Sequence, residues 1–595
     1  MHSFRPSPAL ASLVVLGAAL ATCSRTPPPA PAAANAAPAP PQCPEDAGLK
    51  LPPGFCASVF ADGIGHARHM VVSADNVLYV NTWSGRYYPP NDVPPAGGFL
   101  VALQDTKNVG KADVVQRFGA TRESGAAGGL GIGLYEGGLF AEEKDRILRY
   151  ALPSGKIVPE DSPRVVLSGM PLTGDHPMHP FVIDAGALYV ASASASNVCQ
   201  VKNRALKSPG ERPCRELRTR AGIWRYDATK TNQQFTAAGR YATGIRNAEG
   251  LALDATGHRI FLTQHGRDQL HTMWPASYAP EQEATLPAEE LLLLQKGGDY
   301  GWPYCYYDPT LKSLVLAPEY GGDAQKTGLC ASKQSPVAAF PAHWAPTALT
   351  YYDREQFPAA YRNGVFIAFH GSWNRAPFAQ QGYNVVFQSL AGETGAGRCE
   401  IFADGFAGAE KTPDGAAYRP AGLAVGPDGA LYVADDIKGR IYKVTYRGDP
   451  AQPGAGSTFT ACPNLSAAAG PAVGTDAAAS RNGNVQDPAK LPLPAGATRE
   501  QVVMGSRNYG GEVGAASCIG CHGVRANGSP LGPDLTDKTW LWSDGSLTGI
   551  RKSIEVGVAK PKQYRSPMQP MGGAQLDANQ ASALAAYVWA ISHQP

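Results

Sequence analysis

Short apolar runs recur along most of the chain, and each run follows a polar turn. Five of them share one design, in which a turn residue leads into a β-branched or aromatic strand: Asn76–Val80, Gly186–Val190, His258–Leu262, Gly364–Ala368 and Gly429–Val433. The segment Leu139–Tyr150 is similar to another copy. Repeats of roughly 50–100 residues built from short strands are typical of β-propellers, in which each repeat forms one antiparallel sheet. We therefore predict a mainly β fold with a six-bladed propeller over residues 43–447.

The composition agrees with this pattern. The 67 glycines and 51 prolines suit many turns. Long amphipathic helical runs between the strands, which a parallel α/β sheet would need, are missing. A chain of 595 residues is too long for one hydrophobic core, so we expect more than one domain. The net charge of +2 gives no indication of a nucleic-acid partner.

The N-terminal region has the pattern of an export signal followed by a tether. Residues 1–22 combine Arg5 with an apolar run that is too short to span a bilayer. Residues 20–23 are similar to a lipobox, which predicts a membrane lipid anchor on Cys23 of a periplasmic protein. The alternative is ordinary cleavage and a soluble periplasmic protein. The Pro- and Ala-rich residues 23–42 predict an extended tether.

The chain contains eleven cysteines, of which Cys23 belongs to the export region and Cys518 and Cys521 to a motif described below. An even remainder in an exported chain favours disulfides. Pairing of sequence neighbours predicts the bonds 43–56, 199–214, 305–330 and 399–462. Eight cysteines allow 105 pairings, and free buried thiols are the alternative.

The sequence Cys518-Ile519-Gly520-Cys521-His522 has the C-x-x-C-H pattern of covalent c-type haem attachment. The two thiols form thioethers to the haem, and the histidine binds the iron. Met568 and Met571, in a later loop, are candidates for the second axial ligand. The alternative, a zinc or redox C-x-x-C site, needs a second cysteine pair nearby, and apart from this motif no cysteine follows Cys462.

The rest of the C-terminal region agrees with a small all-α haem domain. Residues 448–497 are rich in Ala, Gly and Pro and predict a linker, which places the haem domain at residues 498–595. Its predicted first and last helices, Arg499–Tyr509 and Leu576–Ile591, are expected to cross. Pro533 is expected to pack beside His522.

Several stretches of the propeller region resemble the PQQ-dependent soluble glucose/sorbosone dehydrogenases, six-bladed propellers that oxidise sugars. They are Tyr241–Ala252, Gly297–Tyr304, His370–Arg375, Tyr418–Pro420 and Ala434–Asp436. The C-terminal region resembles class I cytochromes c in Pro533–Lys538 and Leu584–Trp589. Met568 precedes Tyr587 by 19 residues, which is similar to the spacing of the methionine ligand in such domains, whereas Met571 falls short at 16. We therefore assign Met568 as the distal ligand.

The resemblance implies a site for PQQ, a tricarboxylated ortho-quinone. Arg246 and Asn247 are expected to hold the quinone oxygens and so polarise the carbon that receives hydride. Arginine binds carboxylates through a planar fork, so we expect Arg246, Arg375 and Arg419 to converge on the carboxylates of PQQ.

The resemblance also implies the catalytic base. Asp175-His176, which stands ahead of a strand, matches the position of the family's catalytic histidine, and His176 would accept the proton of the sugar hydroxyl. His265 is the second candidate for the catalytic base. Asp175 and Asn197, in the adjoining loops, are expected to contact substrate. The glucose branch of the family has an aspartate near Ser194 that assists the base, and this chain lacks it.

Together these features predict a quinohaemoprotein sugar dehydrogenase. A sugar, or a related alcohol or aldehyde, would transfer hydride to PQQ, and the haem would pass the electrons one at a time to a respiratory acceptor. Calcium usually accompanies PQQ in this family, and the backbone carbonyls of Gly266 and Arg267 lie at the corresponding place. Two alternatives remain open: a lactonase-type propeller hydrolase with a metal-activated water, and a non-catalytic propeller that serves as a docking module for the cytochrome.

Overall fold

A computed structural model of the chain describes residues 43, 47–82, 95–121, 129–204, 207–254, 256–375, 378–391, 395–413, 415–450, 460–465, 488–510, 518–522, 526–529, 532–559, 561–564, 568, 570–573 and 576–594. The export region, Cys23, the tether and most of the linker lie outside these residues, so what we predict for them stays a prediction. The predicted domain boundaries also stay predictions. Residues 41–595 form one compact unit.

Sheets of four or five strands confirm the predicted six-bladed propeller, and we number the blades in chain order. After β1 (Phe55–Ala61), blade 1 consists of β2 (Ala67–Val72), β3 (Leu78–Thr82), β4 (Leu100–Gln104) and β5 (Val114–Phe118). Blade 2 consists of β6 (Ile132–Tyr135), β7 (Gly138–Glu143), β8 (Arg146–Ala151) and β9 (Arg164–Ser168). Blade 3 consists of β10 (Phe181–Asp184), β11 (Ala187–Ser192), β12 (Gly222–Asp227) and, after β13 (Gln233–Gln234), β14 (Arg240–Thr243). Strand β13 pairs with β9 and so extends blade 2.

The second half of the propeller repeats this arrangement. Blade 4 consists of β15 (Leu251–Asp254), β16 (Arg259–Gln264), β17 (Glu289–Leu293) and, after the hairpin of β18 (Cys305–Asp308) and β19 (Ser313–Leu316), β20 (Ala338–Phe340). Blade 5 consists of β21 (Pro346–Tyr352), β22 (Gly364–Phe369), β23 (Asn384–Ala391) and β24 (Gly395–Ala403). Blade 6 consists of β25 (Pro420–Val425), β26 (Leu431–Asp435) and β27 (Ile441–Tyr446). Strand β1 completes blade 6 by pairing with β27, which closes the ring.

The second strands of the blades explain the apolar runs in the sequence. Every residue of β3, β11, β22 and β26 is buried, because both faces of these strands pack against neighbouring blades. Since consecutive strands run antiparallel, the loops that follow the second and fourth strands reach the same end of the propeller. We call this end the loop face.

Short helices occur in the loops of the propeller. Within the described part of the propeller, the α-helices are α1 (Leu270–Met273) and α2 (Pro280–Thr285). The 3-10 helices span Arg215–Arg218, Ala237–Gly239, Pro318–Tyr320, Gly328–Ser332 and Ala359–Tyr361.

All four predicted disulfides are present: Cys43–Cys56, Cys199–Cys214, Cys305–Cys330 and Cys399–Cys462. The last one fastens the start of the linker to blade 5, where β28 (Thr460–Ala461) pairs with β24. A disulfide restricts the unfolded chain most when it closes a long loop, and this one spans 63 residues.

The C-terminal region is the predicted helical haem domain. Its helices are α3 (Arg499–Tyr509), α4 (Cys518–His522), α5 (Leu547–Val556) and α6 (Ala578–Ser592), with a 3-10 turn at Pro570–Gly573. The short strands β29 (Asn527–Ser529) and β30 (Gly532–Asp534) pair beside the haem motif. Thr498 and Asp577 cap the first and last helices with their side chains. Among the described residues, no helix has both the length and the apolar character needed to span a bilayer.

The crossing of α3 and α6 depends on Gly505. A Cβ atom at this position would lie 2.0 Å from the backbone oxygen of Ala583 and 2.6 Å from Cβ of Tyr587. Alanine inside an exposed helix would normally stabilise the helix by about 1 kcal/mol relative to glycine. Here the close contact opposes that gain, because overpacking typically costs about 1–3 kcal/mol.

We therefore predict that Gly505→Ala lowers the free energy of unfolding of the haem domain, against the helix propensity of alanine. Thermal unfolding followed by the circular dichroism of the haem band measures this, and Arg507→Ala, at an exposed position on the same helix, is the matched control. An unchanged or raised melting temperature in Gly505→Ala would show that the helices do not approach this closely.

Candidate functional site

A continuous cavity of about 780 Å³ extends from the centre of the loop face into the haem domain. The predicted site residues on its walls are Asp175, His176, Arg246, Asn247, Gly266, Arg419, Cys518, Cys521, His522 and Met568. Asn197, Arg267 and Arg375 are not among the described residues that line it. The fold thus brings the two predicted centres, the propeller site and the haem site, to one cavity.

His176 lies between β9 and β10 and is buried at the cavity wall. Its Nδ1 donates a hydrogen bond to the backbone oxygen of Ser194 at 2.9 Å, with Ser194 Oγ 3.1 Å away. Because a carbonyl only accepts, Nδ1 carries the proton of the neutral ring and Nε2 keeps a lone pair. Burial lowers the pKa of His176, and the charge of Arg246 lowers it further, so the ring is neutral near pH 7. Ser194 therefore orients the ring where the sequence lacks the assisting aspartate.

Arg246 lies between β14 and β15 with its guanidinium buried against the cavity. Its Nε donates to the backbone oxygen of Asn197 at 3.0 Å. Its Nη2 donates to Asn197 Oδ1 and to Asp268 Oδ2, both at 3.0 Å. None of these bonds uses Nη1. The protein thus holds the plane of the guanidinium and leaves Nη1 for a carboxylate or carbonyl in the cavity.

Asn197 has a different place from the one predicted. Its Nδ2 donates to the backbone oxygen of Asp268 at 2.9 Å, and its Oδ1 accepts from the backbone nitrogen of Asp268 as well as from Arg246. With its side chain engaged in these bonds and outside the described cavity lining, Asn197 positions Arg246 and does not face a substrate.

Asp268 is a functional residue that sequence reasoning missed. Its Oδ2 accepts from Arg246 and, at 2.9 Å, from Arg204 Nη2, while its Oδ1 accepts from Asn374 Nδ2 at 2.7 Å. Although burial alone would raise it, these two arginines hold the pKa of Asp268 well below its usual range. The signal in the sequence that could have identified Asp268 was its position directly after Gly266 and Arg267, the two residues predicted to bind calcium.

A second buried network also lines the cavity. Arg68 Nη1 donates to Asp436 Oδ2 at 2.6 Å, and Arg68 Nη2 donates to Glu249 Oε2 at 3.0 Å. Asn247 Nδ2 donates to Glu249 Oε1 at 3.2 Å, and His370 Nε2 lies 2.8 Å from Asp436 Oδ1. Arg68 lies inside β2, where no motif marks it, so the sequence offered no signal for this cation.

The two further arginines predicted to bind PQQ have different surroundings. Arg419 lines the cavity, and its guanidinium donates to the backbone oxygens of His370 at 2.9 Å and Gly371 at 2.8 Å. Arg375 lies outside the described lining and donates to the backbone oxygens of three residues: Ala284, Ala342 and Ala379. Burial lowers the pKa of Arg375 to about 10. Of the three arginines predicted to converge, Arg246 and Arg419 line the cavity and Arg375 is not among its described lining residues.

The two residues predicted to bind calcium through their backbone carbonyls have different surroundings. Gly266 lines the cavity, and its backbone nitrogen donates to Glu289 Oε2 at 2.8 Å. The side chain of Arg267 points to a fully buried ion pair with Glu319, with Nη1 and Oε2 2.6 Å apart. Across the described residues, no group of three or more His, Cys, Asp or Glu side chains is arranged to hold a metal ion.

The haem motif forms the far wall of the cavity. The four disulfides do not include Cys518 and Cys521. His522 Nδ1 donates to the backbone oxygen of Pro533 at 2.9 Å, as expected from the predicted packing, so Nε2 is the nitrogen left for iron. Met568 lines the cavity, and Met571 is not among its described lining residues. These residues fit a covalently attached haem with His522 and Met568 as axial ligands.

The propeller side of the cavity fits a polyanionic quinone. Among the described residues, four arginines line it, Arg68, Arg204, Arg246 and Arg419, together with the carboxyl groups of Asp175, Glu249, Asp268, Glu289 and Asp436. A tricarboxylate needs such cations once it is removed from water, because burial of an unpaired charge is costly. The neutral His176 stands on the same wall, so a base and a set of cations face one space.

Comparisons with known proteins agree with this architecture. The family model for TrAA12-like proteins matches residues 49–447, and the family model for cytochrome c matches residues 508–592. The aldose sugar dehydrogenase YliI of Escherichia coli is 25% identical over 301 residues, which cover 48% of this chain and 64% of that protein. The cbb3-type cytochrome c oxidase subunit FixP of Rhizobium etli is 35% identical over 82 residues, which cover 13% of this chain and 28% of that protein. The chain thus spans less than two thirds of the length of each of these relatives.

Among solved structures, the PQQ domain of pyranose dehydrogenase from Coprinopsis cinerea shares the fold. The TM-score is 0.52 at 18% identity, and the match covers 68% of this chain and 99% of that domain. At this identity the likeness shows the fold alone. Together with the match of the family model over residues 49–447, it confirms the resemblance of the propeller, and the chain belongs to the TrAA12-like family, with a cytochrome c domain at its C-terminal end.

Proposed function

We propose that the protein is a quinohaemoprotein dehydrogenase that oxidises a sugar, or a related alcohol or aldehyde, and passes the electrons to its own c-type haem. One observation carries this proposal. The base, the arginines and the haem attachment residues line the same cavity of about 780 Å³. A propeller that only docked a cytochrome would not need a buried neutral histidine and four arginines beneath the haem motif.

His176 is the proposed proton acceptor. Its Nε2 keeps a lone pair because Nδ1 donates to Ser194, and the lowered pKa keeps the ring neutral. A base within hydrogen-bond reach of the sugar hydroxyl makes hydride departure from the same carbon favourable. When bound, PQQ supplies the electrophilic carbonyl carbon that takes this hydride.

Arg246 and Asn247 are the proposed partners of the quinone oxygens, and Arg68 and Arg419 provide further cations for the carboxylates. The contacts of Asn197 and Asp268 support this assignment, because they hold the Arg246 guanidinium in a fixed plane. For calcium we propose the backbone carbonyls at Gly266 and Arg267, on the basis of the family resemblance.

The four disulfides support an exported protein, because such bonds persist in oxidising compartments. We therefore keep the proposal of a periplasmic location, with a lipid anchor at Cys23. The electron acceptor is proposed to be a respiratory protein. Likewise, the aldose named for the Escherichia coli relative is a candidate substrate class here.

The function is tested by adding PQQ and calcium to the purified haem protein and following haem reduction with a panel of aldoses, related alcohols and aldehydes. We expect reduction by at least one aldose, only when PQQ is present. Lactones are assayed in parallel, and their hydrolysis without haem reduction would favour the hydrolase alternative. Absence of both haem reduction and hydrolysis with every compound, whether or not PQQ is present, would favour the docking module.

The axial ligand of the haem gives the first prediction from this proposal. Met568→Ala should abolish the weak near-infrared sulfur-to-iron band of the ferric haem, because Met568 lines the same cavity as His522. Met571→Ala is the matched control and should keep the band. The reverse result would assign Met571 as the ligand.

A second prediction concerns the planar fork of Arg246. Arg246→Lys keeps the charge but loses the planar fork that Asn197 and Asp268 hold in place, and hydrogen bonds to charged groups contribute about 1.5–3 kcal/mol. We expect PQQ affinity, measured by titration, to fall by about 10- to 100-fold. Arg375→Lys is the control, since Arg375 lies outside the described cavity lining, and its affinity should stay unchanged. Equal PQQ affinity in Arg246→Lys and Arg375→Lys would show that Arg246 does not bind PQQ.

A third prediction concerns the base. His176→Ala should slow sugar-driven haem reduction by about 10²-fold or more, the scale of a lost general base. Reduction by ascorbate or dithionite should stay normal, because that route bypasses the propeller. His258→Ala is the control, because His258 is exposed and pairs with Asp184 away from the cavity.

A loss of only a few-fold in His176→Ala would contradict this role. In that case His265→Ala decides the assignment, because His265 lines the same cavity. A large loss in that variant would identify His265 as the base.

A further inference from the structure

Arg204 lies at the junction of the propeller site and the haem domain, and neither the resemblance nor the proposed reaction assigns it a role. It belongs to the loop between β11 and β12, which the Cys199–Cys214 disulfide closes. Its backbone has a φ of +58°, a left-handed conformation that is costly for a residue with a Cβ. The loop therefore holds Arg204 in a strained backbone conformation, and its side chain lines the cavity.

The guanidinium of Arg204 is held by three side chains from the propeller. Its Nη2 donates to Asp268 Oδ2 at 2.9 Å and to Asp175 Oδ2 at 3.3 Å, and its Nη1 donates to Gln269 Oε1 at 3.0 Å. Its Nε also donates to Asp175 Oδ2, at 3.3 Å. Asp175 adjoins the base His176 in the chain, and Asp268 is the carboxylate that Arg204 shares with Arg246. Arg204 is thus part of the same ionic network as the proposed catalytic residues.

Arg204 and Cys521 line one cavity, which continues into the haem domain. The sulfur of Cys521 stands in for the thioether by which the haem would be attached. Only 18% of the Arg204 side chain is exposed, so water and salt screen this charge less than they would screen a surface charge.

We propose that Arg204 is a positioning residue for electron transfer: the carboxylates of the propeller site hold its fixed positive charge beside the haem, where it favours the ferrous state. The physical reason is that ferrous haem carries one positive charge fewer than ferric haem, so a nearby cation stabilises it. This inference rests on the proposed function. In that reaction the haem takes the two electrons of each sugar one at a time and passes each of them to the proposed acceptor, and two protons leave to water.

The charge can be removed without removing the side chain. Arg204→Gln loses the charge and keeps a hydrogen-bonding amide, whereas Arg204→Lys keeps the charge and loses the fork. Arg212→Gln is the matched control, because Arg212 belongs to the same disulfide-closed loop but is exposed and outside the described cavity lining. All variants are prepared as full-length protein with haem attached.

The first measurement is the haem midpoint potential, by spectroscopic redox titration in the absence of PQQ and sugar. At a fixed applied potential, we expect Arg204→Gln to lower the ratio of ferrous to ferric haem by about tenfold, which corresponds to about 59 mV for one electron. Arg204→Lys and Arg212→Gln should stay close to the parent protein. A parent-like potential in Arg204→Gln, or an equal shift in Arg212→Gln, would overturn the proposal.

The second measurement is sugar-driven haem reduction with PQQ bound. Arg204→Gln should slow it while reduction by dithionite remains normal, and Arg204→Lys should recover much of the rate. Because the potential is read without PQQ or sugar, a failure of the proposed dehydrogenase activity leaves the first result intact. The proposed role of Arg204 and the proposed dehydrogenase activity can therefore be disproved independently of each other.

Discussion

The buried carboxylate of Asp268 is the interaction on which the propeller site depends. It accepts hydrogen bonds from Arg204 in a loop of blade 3, from Arg246 in the connection between blades 3 and 4, and from Asn374 in a loop of blade 5. Its backbone is held by Asn197. Without this anion the two buried guanidiniums would repel each other. Nothing at this position would then offset the cost of removing them from water, which is several kcal/mol. One acidic residue thus fixes the arginine that faces the cofactor space and the arginine that faces the haem.

The continuous cavity joins the two parts of the proposed chemistry. The haem motif lines the space into which His176 and Arg246 face, so the proposed oxidation would release its electrons into the cavity that contains the haem attachment residues.

Much of the fold, but only part of the site, could be predicted from the sequence. The blades were predictable because their second strands are buried on both faces and read as unbroken apolar runs, and the haem centre has its own local motif. Arg68 was not, because its partner Asp436 is 368 positions away and only ring closure brings them together. The prediction that Arg375 binds PQQ depended on similar long-range geometry. Three backbone oxygens accept hydrogen bonds from its guanidinium, and no sequence motif encodes these contacts.

The central claim is that sugar oxidation and haem reduction occur within one molecule. Stopped-flow mixing of a fully loaded protein with a saturating sugar tests it directly, by following the haem band over a wide range of protein concentration. Transfer across the shared cavity predicts a first-order rate constant for haem reduction that does not depend on protein concentration. A rate constant that rises in proportion to protein concentration would show that electrons pass between molecules, and would contradict the account.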